Sequence, residues 1–116
     1  MRHRKKGKIL DRKTESRKAL LRSLATSLVL YEKIKTTEAK AKALKPVIEK
    51  IITHGKKANL TTRRNLHKYL YLNNSVKKVL EDLSPRYKDR KGGYTRIIKL
   101  GTRKGDQAKI VQIEFV

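Results

Sequence analysis

GGYTRIIKLGTRKGDQAKIVQIEFV, residues 92–116, decides the fold class. Tyr94 to Leu100 is strand-like by composition. Ile110 to Val116 alternates, with Val111, Ile113 and Phe115 on one side and Gln112 and Glu114 on the other, the pattern of a half-buried strand. The residues between the two runs, Gly101 to Ala108, include Arg103, Lys104 and Gly105, so the pair forms a hairpin with a cationic, glycine-bearing tip. An apolar strand at the end of a chain frays or aggregates unless it is paired. The hairpin is therefore expected inside a sheet, with residues 31–36 as a candidate third strand: Glu32 to Thr36 alternates and turns Ile34 inward.

Upstream of the hairpin the periodicity is helical. Thr14 can cap a first helix and Glu15 suits its positive end. Leu20, Leu21, Leu24, Ala25 and Leu28 then share one face, with Arg17, Lys18 and Arg22 largely outside that stripe. Thr36-Thr37-Glu38 opens a second helix, whose Ala41, Leu44, Val47, Ile48, Ile51 and Ile52 run to Gly55 as a C-terminal cap. Pro46 either kinks this helix or splits off residues 38–45 as a separate turn, since proline removes a helical hydrogen bond. Thr61-Thr62 opens a third helix with Leu66, Tyr69 and Leu70 inward. Asn73-Asn74-Ser75 breaks it; Ser75 then caps a fourth carrying Val76, Val79, Leu80 and Leu83, which Ser84-Pro85 ends. The expected fold is α+β: four helices packed on a small mixed or antiparallel sheet, residues 14–116 forming one domain.

Charge separates that body from an arm. Residues 1–13 hold seven Lys/Arg (Arg2, Arg4, Lys5, Lys6, Lys8, Arg12 and Lys13) beside little that can be buried, so this segment is expected to order only against a partner. Over all 116 residues, 32 Lys+Arg face 10 Asp+Glu, for a net charge of +22. The four residue types Leu, Ile, Val and Phe number 30, enough for a core, but one that self-repulsion weakens until a polyanion is bound. The longest uncharged run, Ser23 to Tyr31, is nine residues, where a membrane span needs about 20. No secretory signal is expected, because Arg2 is followed by more charge rather than an apolar stretch. The absence of cysteine removes disulfides and thiolate metal sites and suits a reducing cytosol.

Catalytic chemistry finds no footing. His3, His54 and His67 show no metal-ligand spacing and have no acidic companions. Glu81 and Asp82 are adjacent and diverge on a helix, whereas acid–base pairs must converge in a cleft. Gly101 to Gly105 lacks the spacing of a phosphate loop and joins strand to strand, and Gly92-Gly93 reads as a tight turn. No catalytic residue, metal, cofactor or small-molecule substrate is expected.

A basic arm, a basic helix flank and a basic hairpin tip suit phosphate and shape recognition of folded RNA. Six aromatics, several needed by the core, argue against a stacking platform as the main device. Two rivals share the composition. The subunit of an RNA-processing ribozyme would carry an arginine-rich central helix, of which Arg63-Arg64-Asn65 is a faint echo, and would accelerate a catalytic RNA. A DNA-compacting or membrane-active cationic protein would not distinguish duplex DNA, lipid and RNA.

The start MRHRK, the segment IKTTEAKAKALKPVIEKIIT (34–53), the pair Arg63-Arg64 and the tail SPRYKDRKGGYTRIIKLGTRKGD (84–106) with IEFV resemble the bacterial large-subunit ribosomal protein seventeen family over essentially the whole chain. The resemblance implies a non-enzymatic, cytoplasmic constituent of the large ribosomal subunit, bound to its RNA on the solvent side near the exit tunnel. It also implies contact with neighbouring ribosomal proteins, protein thirty-two among them. As RNA contacts it implies Arg2, His3, Arg4, Lys5 and Lys6 in the arm, Arg17 and Arg22 on the first helix, Arg63 and Arg64, the block Gly92, Gly93, Tyr94 and Arg96, and Arg103 and Lys104 at the tip. The charge layout adds Lys8, Arg12 and Lys13 in the arm and Lys18 on the helix flank as expected RNA contacts. The chain departs from the family at Pro46, where the family often has a charged residue, and at Lys109, where it usually has proline.

Overall fold

The computed structural model describes residues 8–10 and 12–116. Arg2, His3, Arg4, Lys5 and Lys6, and with them most of the expected arm, lie outside the described residues. The chain runs α1 (Thr14–Tyr31), β1 (Lys33–Thr37), α2 (Glu38–Gly55), α3 (Leu60–Tyr69), α4 (Asn73–Lys78), a π-helical turn (Val79–Leu83), α5 (Ser84–Arg86), β2 (Thr95–Thr102) and β3 (Lys109–Phe115). The segment from α4 to α5 is one continuous helical path, so four helices pack on a three-stranded sheet. That is the expected α+β fold.

The sheet order is β1-β3-β2, antiparallel throughout, which removes the mixed alternative. The C-terminal strand is its centre, flanked by the candidate third strand on one side and the hairpin partner on the other. Val111, Ile113 and Phe115 are buried against the helices as their alternation requires, opposite Thr36, Ile34 and, on the other side, Lys99, Ile97 and Thr95. A bulge at Leu100, between Lys99 and Gly101, re-aims the end of β2; Gly101 supplies the φ of +133° that it uses. The end of β3 is tied down twice, Phe115 N–H donating to the Glu32 carbonyl and Val116 N–H to that of Tyr94.

The core is the meeting of three faces: Ala25, Leu28 and Val29 of α1, Ala41, Leu44, Ile48, Ile51 and Ile52 of α2, and the inner side of β3, closed by Leu66, Val76, Val79 and Leu83. Glu32 joins these elements. It caps α1 in the left-handed region, with φ 64° and its N–H on the Leu28 carbonyl at 2.8 Å. Its carboxylate meets Arg86 and lies 3.5 Å from Lys78. The Arg86 hydrogen bond holds that carboxyl below the usual range against the opposing effect of burial.

Several expected boundaries move for local reasons. Thr14 is the first residue of α1 rather than its cap, and Lys13 stands at the cap position with no side-chain bond. Pro46 neither splits nor ends α2; it lies on the exposed side, where water can satisfy the Lys42 carbonyl that loses its donor. Asn59, not Thr61-Thr62, caps α3 by accepting from Thr62 N–H at 2.8 Å. Ser75 is buried inside α4 and returns its hydroxyl to the Leu72 carbonyl at 2.5 Å. Pro85 does not end the fourth helix: after the π turn, where Ser84 N–H reaches back to the Val79 carbonyl, it falls in the first turn of α5 and the helical path continues through it.

Gly55 is not a left-handed cap. It closes α2 because nothing larger fits: a Cβ there would overlap Ser84 Oγ and stand 2.8 Å from Val79 Cγ1. The glycine lets the fourth helix pack directly on the end of α2, and Ser84 Oγ–H bonds the Ile52 carbonyl at 3.1 Å across that contact.

Candidate nucleic-acid interface

Six basic side chains of the described body sit in ion pairs: Lys18, Lys42, Lys78, Arg86, Arg96 and Arg103. The other described Lys and Arg have no carboxylate within 4 Å among the described residues, and most point to solvent. Exposed ion pairs contribute about 0–1 kcal/mol each, so the body neither consumes nor neutralises its charge internally.

Among the described residues no helix covers the outer face of the sheet. Strand alternation puts Lys33 and Lys35 of β1 on it, in register with Glu114 and Gln112 of β3 and with Arg96 and Ile98 of β2. Arg96 lies 3.4 Å from Glu114. The hairpin tip beyond this face is held by Asp106. Its carboxylate accepts from Arg103 Nε and Nη2 at 3.0 and 2.6 Å and from Ala108 N–H at 3.1 Å, which lowers its pKa to about 2, the Arg103 bonds contributing most. Lys104 is exposed at the same tip. Behind it, Lys8 and Lys109 line a shallow recess with Thr37, Glu38 and Lys42 at the start of α2. Lys8 thereby sits beside the root of the hairpin.

The sequence-derived contacts sort by geometry. Arg12 and Lys13 are exposed, Arg12 Nη1 donating to the Leu10 carbonyl at 3.0 Å. Arg63 and Arg64 are exposed on the outer side of α3. Arg17 is half-buried on α1, with Lys18 exposed beside it. Gly92 and Gly93 are open, and Gly93 takes φ 62°. Two of the named residues are turned inward. Arg22 Nε and Nη2 donate to the Tyr69 and Lys68 carbonyls at 2.8 and 2.9 Å, so much of its guanidinium serves as the C-terminal cap of α3. Tyr94 is 1 % exposed, packed 5.3 Å from the Tyr87 ring. Lys56 Nζ donates to its hydroxyl at 2.7 Å, and the hydroxyl donates to the Arg90 carbonyl at 3.1 Å. The Lys56 bond, seconded by Thr53, pulls the phenol below its ordinary pKa. A base cannot stack on Tyr94; its part is to pin the Gly92-Gly93 turn against the end of α2.

Sequence reasoning passed over Lys33 and Lys35. The signal was present, because Ile34 inward obliges both neighbours outward. Lys109 and Lys99, near Glu38, were visible only after the hairpin had been folded back onto α2.

Among the described residues no group of His, Asp and Glu could hold a metal ion, and no helix is long and apolar enough to cross a membrane. What this architecture defines is a small, strongly basic α+β protein that presents unneutralised cations on several faces. The comparisons narrow the class. The family described as Ribosomal protein L17 matches residues 20–116. Proteins named large ribosomal subunit protein bL17 match at full length. That of Rickettsia typhi is 51% identical over 116 residues, covering 100% of this chain and 85% of its own. That of Hydrogenobaculum sp. is 50% identical over 117 residues (100% and 99%), and that of Exiguobacterium sp. 50% over 112 (92% and 96%). The chain belongs to the ribosomal protein L17 family. It is a structural protein of the ribosome in the cytoplasm, and not an enzyme.

Proposed function

We propose that the chain binds and holds together folded segments of large-subunit ribosomal RNA through phosphate contacts. Its arm (1–13) threads between RNA helices, while the α1 flank, the Arg63-Arg64 pair and the Arg103-Lys104 tip grip from the body (14–116). The start of α1 at Thr14 supports that division. The observation that carries the reading is the charge layout: a net +22, with six basic side chains in ion pairs on the described body. Phosphate contacts position without reading sequence, so specificity comes from the shape of the RNA. The sheet's bare face, with Lys33 and Lys35 along one edge, extends the same surface. A neighbouring ribosomal protein, protein thirty-two, is the protein contact that the family resemblance supports.

Chemical footprinting of large-subunit RNA with the full chain and with residues 1–13 deleted tests this. The full chain is expected to protect discrete segments. The deletion should melt as cooperatively as the full chain yet lose most of its affinity. Equal affinity would remove the arm from the interface.

A further inference from the structure

Two aromatic side chains are exposed among the described residues, Tyr31 and Tyr71. Tyr87, Tyr94 and Phe115 pack on one another in the core, whereas Tyr71 is 48 % exposed at the end of α3. Its position is nevertheless fixed. Its N–H donates to Thr26 Oγ1 at 3.3 Å, and the Arg22 guanidinium lies over its ring, 4.4 Å from the centroid. That guanidinium is itself held by the Lys68 and Tyr69 carbonyls, which also covers the negative pole of α3 with a positive charge. Beside the ring opens a recess of about 440 Å³ between the first turns of α1 and the end of α3, lined by Lys18, Leu21, Arg22, Lys68, Tyr69 and Tyr71. Small-ligand sites commonly span about 300–1,000 Å³.

We propose that this recess takes one unstacked nucleotide of RNA, its base against the Tyr71 ring and its phosphate between Lys18 and Lys68. The proposal rests on the reading of the chain as an RNA-binding protein and adds to it a contact that is not electrostatic. Unstacked bases of single-stranded loops and bulges are what side chains can reach in folded RNA, and they stack on aromatic rings and arginine planes. A ring already locked by Arg22 loses little freedom when a base arrives. Glu15 shares the rim, but it lies 3.9 Å from Lys18 with both side chains largely exposed, so Lys18 is free to turn to a phosphate.

Salt dependence separates this contact from all the others. Stacking releases no counterions, whereas a phosphate contact does. Binding of the full chain to transcribed large-subunit RNA would be measured across a salt series for wild type, Tyr71→Leu, Tyr71→Trp and Lys68→Ala. Tyr71→Leu is expected to weaken binding about tenfold at every salt concentration with the slope unchanged. Tyr71→Trp should retain affinity, and Lys68→Ala should lower the slope by about one. Base-directed chemical probing should show one unpaired nucleotide that wild type protects and Tyr71→Leu does not. The leucine variant should fold, because only the backbone N–H of residue 71 bonds to Thr26; Tyr71→Trp, which keeps a ring, controls for any loss of packing. Binding by Tyr71→Leu equal to wild type overturns the proposal, as it would if the ring were instead covered by a neighbouring protein. Equal losses in the leucine and tryptophan variants overturn it too. Failure of wild type to bind the RNA at all would strike the wider reading instead.

Discussion

Replacing Gly55 by alanine sets helix propensity against packing, and the geometry says which wins. In a helix interior the change would stabilise by about 1 kcal/mol; at the last residue of α2 the gain is a few tenths. Against it stands the new Cβ, which would overlap Ser84 Oγ and lie 2.8 Å from Val79 Cγ1, well inside ordinary contact. Overpacking of this kind costs about 1–3 kcal/mol. If Ser84 rotates away, its buried hydroxyl also leaves the Ile52 carbonyl, at about 1 kcal/mol more. The net expectation is a destabilisation of about 2 kcal/mol, or roughly 8 °C in Tm for a domain of this size. Urea and thermal unfolding at fixed salt would measure it. Ser84→Ala should recover about 1 kcal/mol when combined with Gly55→Ala, as coupled neighbours do. A Gly55→Ala protein as stable as wild type, or more so, would show that the α2–fourth helix contact is looser than described and that Gly55 is there for another reason.

Val111→Asp should abolish cooperative unfolding: the side chain is 1 % exposed in the central strand, and its cross-strand neighbour Lys99 is exposed at the sheet edge and would have to give up its hydration to pair with a buried carboxylate; near-UV circular dichroism identical to wild type would mean β3 faces the other way. The Asp106 carboxyl, lowered to about 2 by Arg103 and the Ala108 amide, should lend stability to the hairpin tip that is complete above the ordinary carboxylate pKa and lost as pH falls through about 2. NMR titration of that carboxyl should give a midpoint near 2, moving up towards 3.8 in Arg103→Ala; an ordinary midpoint in the wild-type protein would mean the tip is not held this way.

The fold was legible where periodicity carries it. Alternation over Val111–Phe115 gave the face of the central strand, and Ala41 to Ile52 at helical spacing gave the core side of α2. What escaped was set by contacts between distant residues. Gly55 looks the same in sequence whether it supplies a positive φ or makes room for Ser84, 29 positions on. The π turn at Val79–Leu83 keeps Val79 and Leu83 inward, so an apolar pattern cannot reveal it and Pro85 reads as a stop. Capping shifted by a few residues between candidate side chains, because Asn59 and Thr61-Thr62 are equally plausible until one bond is seen. For the interface, charge marked the surfaces but not their use: Arg22 reads as one more cation until α3 brings two carbonyls to it, and Tyr94 reads as part of a basic loop until Lys56 closes over it.

The most direct test of the central claim is the salt dependence of binding to large-subunit RNA, repeated with duplex DNA of the same length as competitor. With about eight phosphates engaged, affinity should fall on the order of 10⁴-fold between 50 and 200 mM salt, and the folded RNA should hold the protein against the DNA at physiological salt. A shallow slope, or displacement by DNA as readily as by RNA, would contradict a body and arm built to grip a folded polyanion.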